Sequence, residues 1–400
     1  MRSIVFKIKT ITPTFMGGGD GRFDGIRASE IKGMMRWWFR ALAGVGVGDN
    51  LNELKGIEGS IFGLAESKSN SCRSKFKITV ESLNLEFIET NKQFPSNGFT
   101  YLGIGNVIFK YDKDSKFVPN PDKSNQAGQV LIDAKSTFDL RLCFYPQAKE
   151  DDINLIAGSL YIGTALGGFG LRARKCFGSW QIIEYDGFDL KFNPRDYTKD
   201  GIKTNINELK AIMSEKVKTH TPASKYPAID DSHFVFNVIQ TNETNYQNLL
   251  DEFGRLYRGF RVCADNPQPS LPRRGIHTAD FDFLRNVTSA KNFKEANCSN
   301  YEVRNALFGL NIIYPQLGNS LQLERSKDDK NEVLRRASPV WFTVKEVDGQ
   351  LNLHITLFKS LFKPEGSSVK FDGREVEIED YSLIEQKFIP YIKQELEVKK

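Results

Sequence analysis

A basic row and an unusual glycine mark a predicted helix near the N-terminus. Lys32, Arg36 and Arg40 recur every four residues, so they share one side of that helix. Gly33 lies beside this row, and Trp37 lies at its edge. A glycine inside a helix costs about 1 kcal/mol relative to alanine, so it often marks a close approach by another backbone. The three positive charges suit a phosphate backbone, and the space left by the glycine lets that backbone approach closely. The indole suits an unstacked base.

A second cationic segment, residues 167–179, follows another predicted helix and leads into a strand. Three cations and four glycines supply its chemistry: Arg172, Arg174, Lys175, Gly167, Gly168, Gly170 and Gly178. Glycines let the main chain approach a ligand, and successive amides can cradle phosphate oxygens while the cations release counterions. The segment lacks the Gly-Lys-Ser/Thr of a Walker A loop, and it precedes a strand, unlike a dinucleotide fingerprint. A nucleic-acid backbone is therefore the favoured ligand.

Each of these features also has a purely structural interpretation. The basic row could be a solvated helix face, and the 167–179 segment could be a tight turn between a helix and a strand. Trp37 could contact a ligand or a partner subunit, or it could pack beneath the glycine-rich segment. Trp38 and Phe39 lie on the apolar side of the helix, so both are predicted to be core residues.

Catalytic and metal-binding sites have weaker support in the sequence. Asp20 and Asp24 could bind a divalent cation, but aspartates beside glycine usually form turns. A histidine can act as acid or base in RNA cleavage without a metal, and the chain has four: His220, His233, His277 and His354. The five cysteines are scattered, without a Cys-x-x-Cys pair. We expect no catalytic residue, no metal site and no cofactor.

The elements that position the two cationic segments follow the order β-α-β-β-α-β. Alternating apolar residues predict four strands, near residues 4–8, 76–80, 138–144 and 180–183. One helix is predicted over residues 29–43, with Ser29 as its N-cap, and another from about Asp152 to Gly167. This is the split βαβ, or ferredoxin-like, arrangement. It places the two cationic segments next to each other.

The second half of the chain supports a related but more divergent unit. A strand over 233–240, a helix over 246–260, a hairpin turning at Asp348-Gly349 and a C-terminal helix from about Ser382 are predicted. The fold class is therefore α+β, with tandem ferredoxin-like (RRM-like) domains and long insertions. We expect the following division: an N-terminal domain over residues 1–190 with an insertion at about 84–135, a linker over 191–230 and a C-terminal domain over 231–400.

Composition excludes several classes of protein. The formal net charge of +5 on 400 residues is mild, so any basic surface must be local. No uncharged apolar run approaches the ~18 residues of a membrane span, and the first residues form a strand pattern, which is not typical of a signal peptide. Scattered free cysteines fit a reducing compartment. We therefore expect a cytoplasmic protein that does not bind a membrane.

Several motifs together resemble the RAMP superfamily of CRISPR-associated proteins. They are Ile11-Thr12-Pro13 with Met16-Gly17-Gly18, the helix motif from Arg27 to Ala41, Ile61-Phe62-Gly63, the 167–179 segment, and Arg335-Arg336-Ala337-Ser338-Pro339. These motifs are spread over most of the chain. The glycine-rich segment indicates only the superfamily, whereas the helix motif is most similar to subunit one of the type III-B (Cmr) effector complex.

The resemblance implies a role in RNA-guided antiviral defence. It implies a non-catalytic RNA-binding subunit near the 3′ end of the guide RNA (crRNA), which helps to capture target RNA while a neighbouring subunit cuts it. The implied partners are the guide crRNA, the target RNA and the other Cmr subunits. The alternative within the superfamily is a metal-independent endoribonuclease that processes guide RNA.

The resemblance also implies which residues contact RNA. By position, the helix residues would line an RNA groove: Arg27, Ser29, Lys32, Gly33, Arg36, Trp37 and Arg40. The segment from Gly167 to Gly178 would form the side of this groove. We expect that either double substitution, Lys32→Ala with Arg36→Ala or Arg172→Ala with Arg174→Ala, weakens RNA capture without unfolding the protein.

Overall fold

The computed structural model describes twelve stretches of the chain. They are residues 2–16, 25–65, 71–89, 97–103, 109–111, 117–119, 130–218, 225–261, 276–289, 302–314, 317–327 and 330–397. Asp20, Asp24 and His220 lie outside the described residues. His277 lies in a described helix, Ile276–Ser289.

The N-terminal half contains helices and antiparallel strands. In chain order they are Ser3–Thr10 (β1), Ala28–Val47 (α1), Leu51–Phe62 (α2), Phe76–Asn84 (β2), Phe87–Glu89 (β3), Asn97–Gly103 (α3), Phe109–Tyr111 (β4), Phe117–Pro119 (β5), Val130–Ile132 (β6), Thr137–Phe144 (β7), Glu150–Leu166 (α4), Trp180–Asp186 (β8) and Lys199–Ser214 (α5). The main sheet has the strand order β2-β7-β1-β8, and all its pairs are antiparallel. Both crossover helices and all four strands of the predicted β-α-β-β-α-β order are present.

The sheet buries one face because its strands alternate apolar and polar residues. In β1, Ile4, Phe6 and Ile8 are fully buried, whereas Lys7 and Lys9 lie on the other face. The apolar side of α1 packs into this core and includes Trp38 and Phe39, both with no exposed surface. The prediction that these two aromatic residues belong to the core is confirmed.

Helix α1 begins earlier than predicted. It starts at Ala28, so its N-cap is Arg27 and Ser29 lies in the first turn. Arg27 has an extended backbone, and its carbonyl oxygen accepts hydrogen bonds from the amides of Glu30 and Ile31. The assignment of Ser29 as N-cap was therefore wrong, because a capping side chain must precede the first helical residue.

The segment 191–230, predicted to be a linker, contains a packed helix. Helix α5 buries Ile202, Leu209 and other apolar residues against α1 and α4. Its N-cap is Thr198, whose hydroxyl accepts a hydrogen bond from the Gly201 amide at 3.1 Å. Within α5, Asp200, Lys203 and Asn207 are exposed around this apolar stripe.

The C-terminal half contains two further sheets. In chain order its elements are Phe234–Ile239 (β9), Tyr246–Arg261 (α6), Ile276–Ser289 (α7), a 3-10 turn at Asn305–Phe308, Ile312–Tyr314 (β10), Asn319–Lys327 (β11), Lys330–Leu334 (β12), Val340–Val347 (β13), Gln350–Phe358 (β14), Ser367–Phe371 (β15), Arg374–Glu375 (β16), a π-helical turn at Leu383–Phe388 and Ile389–Leu396 (α8). One sheet has the order β13-β14-β9, and the other joins β10, β11, β12, β15 and β16. The chain is thus a mixture of helices and antiparallel sheets.

The hairpin predicted at Asp348-Gly349 is present. Strands β13 and β14 pair from Val340 with Leu357 to Val347 with Gln350. Asp348 and Gly349 connect them with φ of 52° and 78°, as a two-residue turn with positive φ at both positions requires.

Helix α4 joins the two halves. It is buried along nearly its whole length, and it contacts α1 and β8 of the N-terminal half and β13 and β14 of the C-terminal half. A helix that is apolar all round is expected in such a position. None of the described helices is long and apolar enough to cross a membrane.

Candidate nucleic-acid interface

A cleft of about 530 Å³ lies where α1, the glycine-rich segment and the C-terminal half meet. Its walls come from three parts of the chain: Gly33, Met34 and Trp37 of α1, residues 170–175, and Phe308, Ser338 and Trp341. The two cationic segments predicted from the sequence are therefore adjacent. However, they meet through the edge of α1 that carries Gly33 and Trp37, not through its basic row.

The glycines of the 167–179 segment are needed for packing within the chain. Gly170 and Gly178 have φ of 90° and 64°. A Cβ atom on Gly170 would overlap the Phe15 carbonyl oxygen, and one on Gly178 would overlap the Phe169 carbonyl oxygen. A Cβ atom on Gly167 would overlap the Trp38 ring, and one on Gly168 would lie 2.9 Å from the Gly178 carbonyl oxygen. These glycines thus allow the segment to form a tight turn. The side chains of the other residues in the segment are the groups available to contact a ligand.

Arg172 is the cation of this segment with the fewest internal contacts. It has a φ of 64°, which places it at the bend of the segment, and it lines the cleft. Within the described part of the chain, its guanidinium has neither a hydrogen-bond partner nor an ionic partner. Burial lowers its pKa, but an arginine remains charged near neutral pH.

Arg174 is held between two indole rings. Its guanidinium carbon lies 4.3 Å from the ring centroid of Trp341 and 5.7 Å from that of Trp37, and it donates a hydrogen bond to the Ser338 carbonyl oxygen. Burial, with a smaller effect of nearby Arg336, lowers its pKa to about 10. The charge is therefore retained near neutral pH without a described carboxylate partner.

Lys175 lies deeper, beside the aromatic residues of α6. It donates a hydrogen bond to the Tyr257 hydroxyl, which also accepts one from Arg261 at 3.3 Å. Burial, and then the Arg261 charge, hold the Lys175 pKa well below its usual value. An anionic group bound near these two cations would raise that pKa.

The basic row of α1 faces α2 and the start of β2. Arg36 and Arg40 both pair with Glu58 of α2, at 2.7 and 3.0 Å, and Arg36 also donates a hydrogen bond to the Gly63 carbonyl oxygen. Lys32 donates to the Ser74 hydroxyl at 2.9 Å. The row therefore fastens α1 to its neighbours, which favours the structural interpretation for most of its charge.

We expect Glu58→Gln to lower the free energy of unfolding by about 1 kcal/mol. The Glu58 side chain is only 13% exposed and it pairs with two arginines, so its loss leaves both charges unpaired. Thermal unfolding measures the change. A control is Glu184→Gln, which removes a 66%-exposed partner 3.4 Å from Lys7 and should change stability by less than about 0.5 kcal/mol. Equal effects of the two substitutions would contradict the assignment.

The remaining predicted residues of α1 lie at two places. Ser29 is exposed, and Arg27 lies 3.5 Å from Glu30. Gly33 is exposed at the cleft, and a Cβ atom built on it meets no described atom beyond its own helix within 4 Å. Trp37 lines the cleft, but it is half-buried because its ring packs against Trp38 and Trp341.

Two of the histidines, His354 and His233, have structural surroundings. His354 is fully buried, its Nδ1 lies 3.2 Å from the Ala165 carbonyl oxygen, and burial lowers its pKa to about 3. His233 interacts with Asp230 at 3.2 Å and with the Ser232 hydroxyl at 2.7 Å. Within the described stretches, no cluster of three or more His, Cys, Asp or Glu residues is placed to hold a metal ion.

The outer face of the N-terminal sheet differs from an aromatic RNA-binding platform. Its charged residues are paired: Arg141 contacts Glu81 at 3.1 Å and Lys7 contacts Glu184 at 3.4 Å within the sheet, and Lys9 contacts Glu346 of β13 at 2.7 Å. In β1, β2 and β7 the residues of this face are small, polar or charged, apart from Val5 and the exposed Leu83 near the end of β2, and none is aromatic. Stacking of bases on this sheet face is therefore not supported, and the cleft is the better site.

Sequence reasoning missed the part of the cleft that the C-terminal half supplies. Trp341 and Phe308 are apolar residues in or beside regular elements, and nothing in their local sequence indicates a site. Ser338 belongs to the Arg335–Pro339 motif, which was the one available signal. Arg336 of this motif donates hydrogen bonds to Ser360 and Tyr381 at 3.3 and 3.4 Å.

Comparison with known proteins identifies the family. A model of the RAMP superfamily matches residues 7–180. The CRISPR system Cmr subunit Cmr1-2 of Pyrococcus furiosus is 32% identical over 188 residues, which cover 46% of this chain and 96% of that protein. Subunit Cmr1-1 of the same organism is 26% identical over 370 residues, 90% of this chain and 88% of that protein.

A solved structure supports the fold. The crystal structure of Cmr1 from Pyrococcus furiosus in its apo form superposes with a TM-score of 0.57 at 22% identity, covering 91% of this chain and 90% of that one. The sequence relatives and this shared fold agree with the motifs from the first strand to the C-terminal half. The chain therefore belongs to the RAMP superfamily and, within it, to the family of the CRISPR-system Cmr1 subunits.

Proposed function

We propose that this chain is a non-catalytic, RNA-binding subunit of a type III-B CRISPR (Cmr) effector complex in the cytoplasm. Its place is near the 3′ end of the guide RNA, where it helps to capture target RNA, and its partners are the crRNA, the target RNA and the other Cmr subunits. Both halves of the chain are variants of one ferredoxin-like unit, and the RNA site lies where they meet. Membership of the Cmr1 family supports the proposal that this chain is a subunit of a Cmr complex.

One observation carries the RNA-binding part. Arg172, Arg174 and Lys175 meet at a single cleft, and none of them has a carboxylate partner among the described residues. Partly buried cations without counter-charges are unfavourable unless an anion completes the site. A phosphate backbone supplies such anions in a row. The cleft is open, and Met34 and Leu171 add apolar surface for an unpaired base.

Gly33 supports the same site. It is an exposed glycine inside a helix, and no described atom within 4 Å of a built Cβ atom explains it. Because glycine weakens a helix interior, a close approach by a ligand is the interpretation that remains. Of the predicted RNA-binding set, we retain Gly33, Trp37, Arg172, Arg174 and Lys175 as direct contacts. Arg27, Ser29, Lys32, Arg36 and Arg40 become secondary contacts outside the cleft, and Gly167, Gly168, Gly170 and Gly178 shape the segment.

We expect Gly33→Ala to raise the stability of the protein and to weaken its binding to RNA. Alanine should stabilise α1 by about 1 kcal/mol, because its methyl group meets no described atom outside its own helix and the helix gains propensity. The same methyl group should weaken RNA binding if a backbone approaches there. Thermal unfolding and a titration with labelled RNA measure the two effects. Gly56→Ala is the control, since it is an exposed glycine of α2 that is also free of contacts and does not line the cleft. Unchanged affinity in Gly33→Ala would remove Gly33 from the site.

The proposed function is tested by RNA binding to the purified full-length chain. Single-stranded RNA of about 20 nucleotides should bind with an affinity that falls steeply as salt rises, and it should remain intact with either EDTA or magnesium. Discrete fragments in EDTA, lost in His277→Ala or His220→Ala, would instead support a guide-processing endoribonuclease. Normal assembly with the other subunits but no RNA binding would support a purely structural subunit.

A further inference from the structure

The glycine-rich segment is attached to the C-terminal half through its backbone. The amide of Cys176 donates a hydrogen bond to the Phe342 carbonyl oxygen at 2.9 Å, and the amide of Phe342 donates to the Arg174 carbonyl oxygen at 3.4 Å. The segment thus pairs with β13 at Phe342, the residue that follows Trp341. Strand β13 therefore determines where the side chains of residues 174 and 175 lie.

Trp341 contacts Arg174 across this junction. The guanidinium of Arg174 lies over the Trp341 ring at 4.3 Å, with the Trp37 ring on its other side at 5.7 Å. Trp341 is only 2% exposed, so the ring and the cation meet largely out of water, where a cation–π interaction is strongest. The Ser338 carbonyl oxygen takes one of the five N–H donors of Arg174. The other donors remain for a ligand.

The indole of Trp341 has a feature that packing does not explain. Its Nε1 atom is buried and has no hydrogen-bond partner among the described residues, although buried polar groups are normally satisfied. A phenylalanine would fill much of the same space without this unsatisfied donor. Tryptophan provides the aromatic face that binds a cation best. The contact with Arg174 is thus a reason for tryptophan at this position.

We propose that Trp341 is a positioning residue of the RNA site: its ring holds the Arg174 guanidinium in the cleft, where Arg174 contacts an RNA phosphate. The site is then completed by the C-terminal half, and the N-terminal half alone has a displaced Arg174. This inference rests on the proposed function, because it assumes that RNA binds in the cleft. It adds a residue that does not itself need to touch the RNA.

The test is a double-mutant cycle on the full-length chain, with labelled single-stranded RNA as the probe. Arg174→Ala should weaken binding about fivefold at about 0.1 M salt and reduce the slope of log affinity against log salt by about 0.7, as expected for the loss of one phosphate contact. Trp341→Leu should weaken binding by up to the same factor. In the Arg174→Ala background, Trp341→Leu should have no further effect, because its action passes through Arg174. Trp341→Phe should lie between Trp341→Leu and the unchanged chain.

Controls separate positioning from folding. Phe371→Leu removes a fully buried aromatic side chain from the sheet of β11 and β15, which does not contribute to the cleft, so it should lower the melting temperature without changing RNA affinity. If Trp341→Leu does not fold, Trp341→Phe alone is compared in both Arg174 backgrounds. Equal losses from either Trp341 variant with and without Arg174, or no loss at all while Arg174→Ala weakens binding, would overturn the inference. If Arg174→Ala and Arg172→Ala both leave affinity unchanged, the proposed site itself fails.

Discussion

Gly178→Ala is expected to lower the free energy of unfolding by at least about 3 kcal/mol. Gly178 has a φ of 64°, which alone costs a residue with a Cβ atom about 1 kcal/mol. The added Cβ would also overlap the carbonyl oxygen of Phe169, so the segment must shift. That segment holds Phe169, which stacks on Trp180 at 4.4 Å, and a shift would disturb this buried pair. Strain of this kind is among the few mechanisms that give such large effects.

Thermal unfolding of the full-length chain, followed by circular dichroism, measures this loss. Gly33→Ala is the matched control, because it adds the same methyl group at a glycine with ordinary helical geometry and open surroundings, and it should raise stability. A melting temperature of Gly178→Ala equal to that of the unchanged chain would contradict the packing described for the glycine-rich segment.

The second large effect is expected in RNA binding. Arg172→Ala with Arg174→Ala should weaken the affinity for single-stranded RNA by about 25-fold at about 0.1 M salt, since each lost phosphate contact accounts for about fivefold. The slope of log affinity against log salt should fall by about 1.4. Neither arginine has an acidic partner in the described structure, so removing the two leaves no carboxylate uncompensated. The fold should therefore be retained.

The double substitution Lys32→Ala with Arg36→Ala distinguishes the cleft from the basic row. It removes the same number of charges, but Arg36 is paired with Glu58 and Lys32 with Ser74. We therefore expect a smaller change in RNA affinity than in the cleft variant, together with a loss of stability. A larger loss of affinity from the row than from the cleft would reverse the assignment of direct and secondary contacts.

Much of the N-terminal fold could be predicted because its strands and helices carry strong periodic patterns. The sequence correctly predicted the alternation of buried and exposed residues in β1 and β7, and it correctly predicted the apolar side of α1. The helix α5 was missed, although Ile202, Ile206 and Leu209 have helical spacing, because polar residues dominate its composition. Helix α2 was also missed, and with it Glu58. Because Glu58 pairs with Arg36 and Arg40, it gives the basic row a structural role.

The cleft could be predicted only in part. The sequence placed Gly33, Arg172 and Arg174 in one site because the order of elements brings α1 and the glycine-rich segment together. It could not place Trp341, which lies 167 residues after Arg174 and meets it only through tertiary packing. Which edge of α1 faces the cleft also depends on tertiary packing, because the helical wheel left both the basic row and the Gly33 edge available.

The most direct test of the account is to locate the RNA on the protein. Photocrosslinking of single-stranded RNA containing 4-thiouridine, followed by mass spectrometry of the crosslinked peptides, identifies the contacted residues in the chain and in the assembled complex. Separate labelling of guide and target strands shows which strand each residue meets. We expect crosslinks on peptides that contain residues 33–37 and 170–175. Crosslinks confined to α2 or to the outer face of the N-terminal sheet, with none at the cleft, would contradict this expectation.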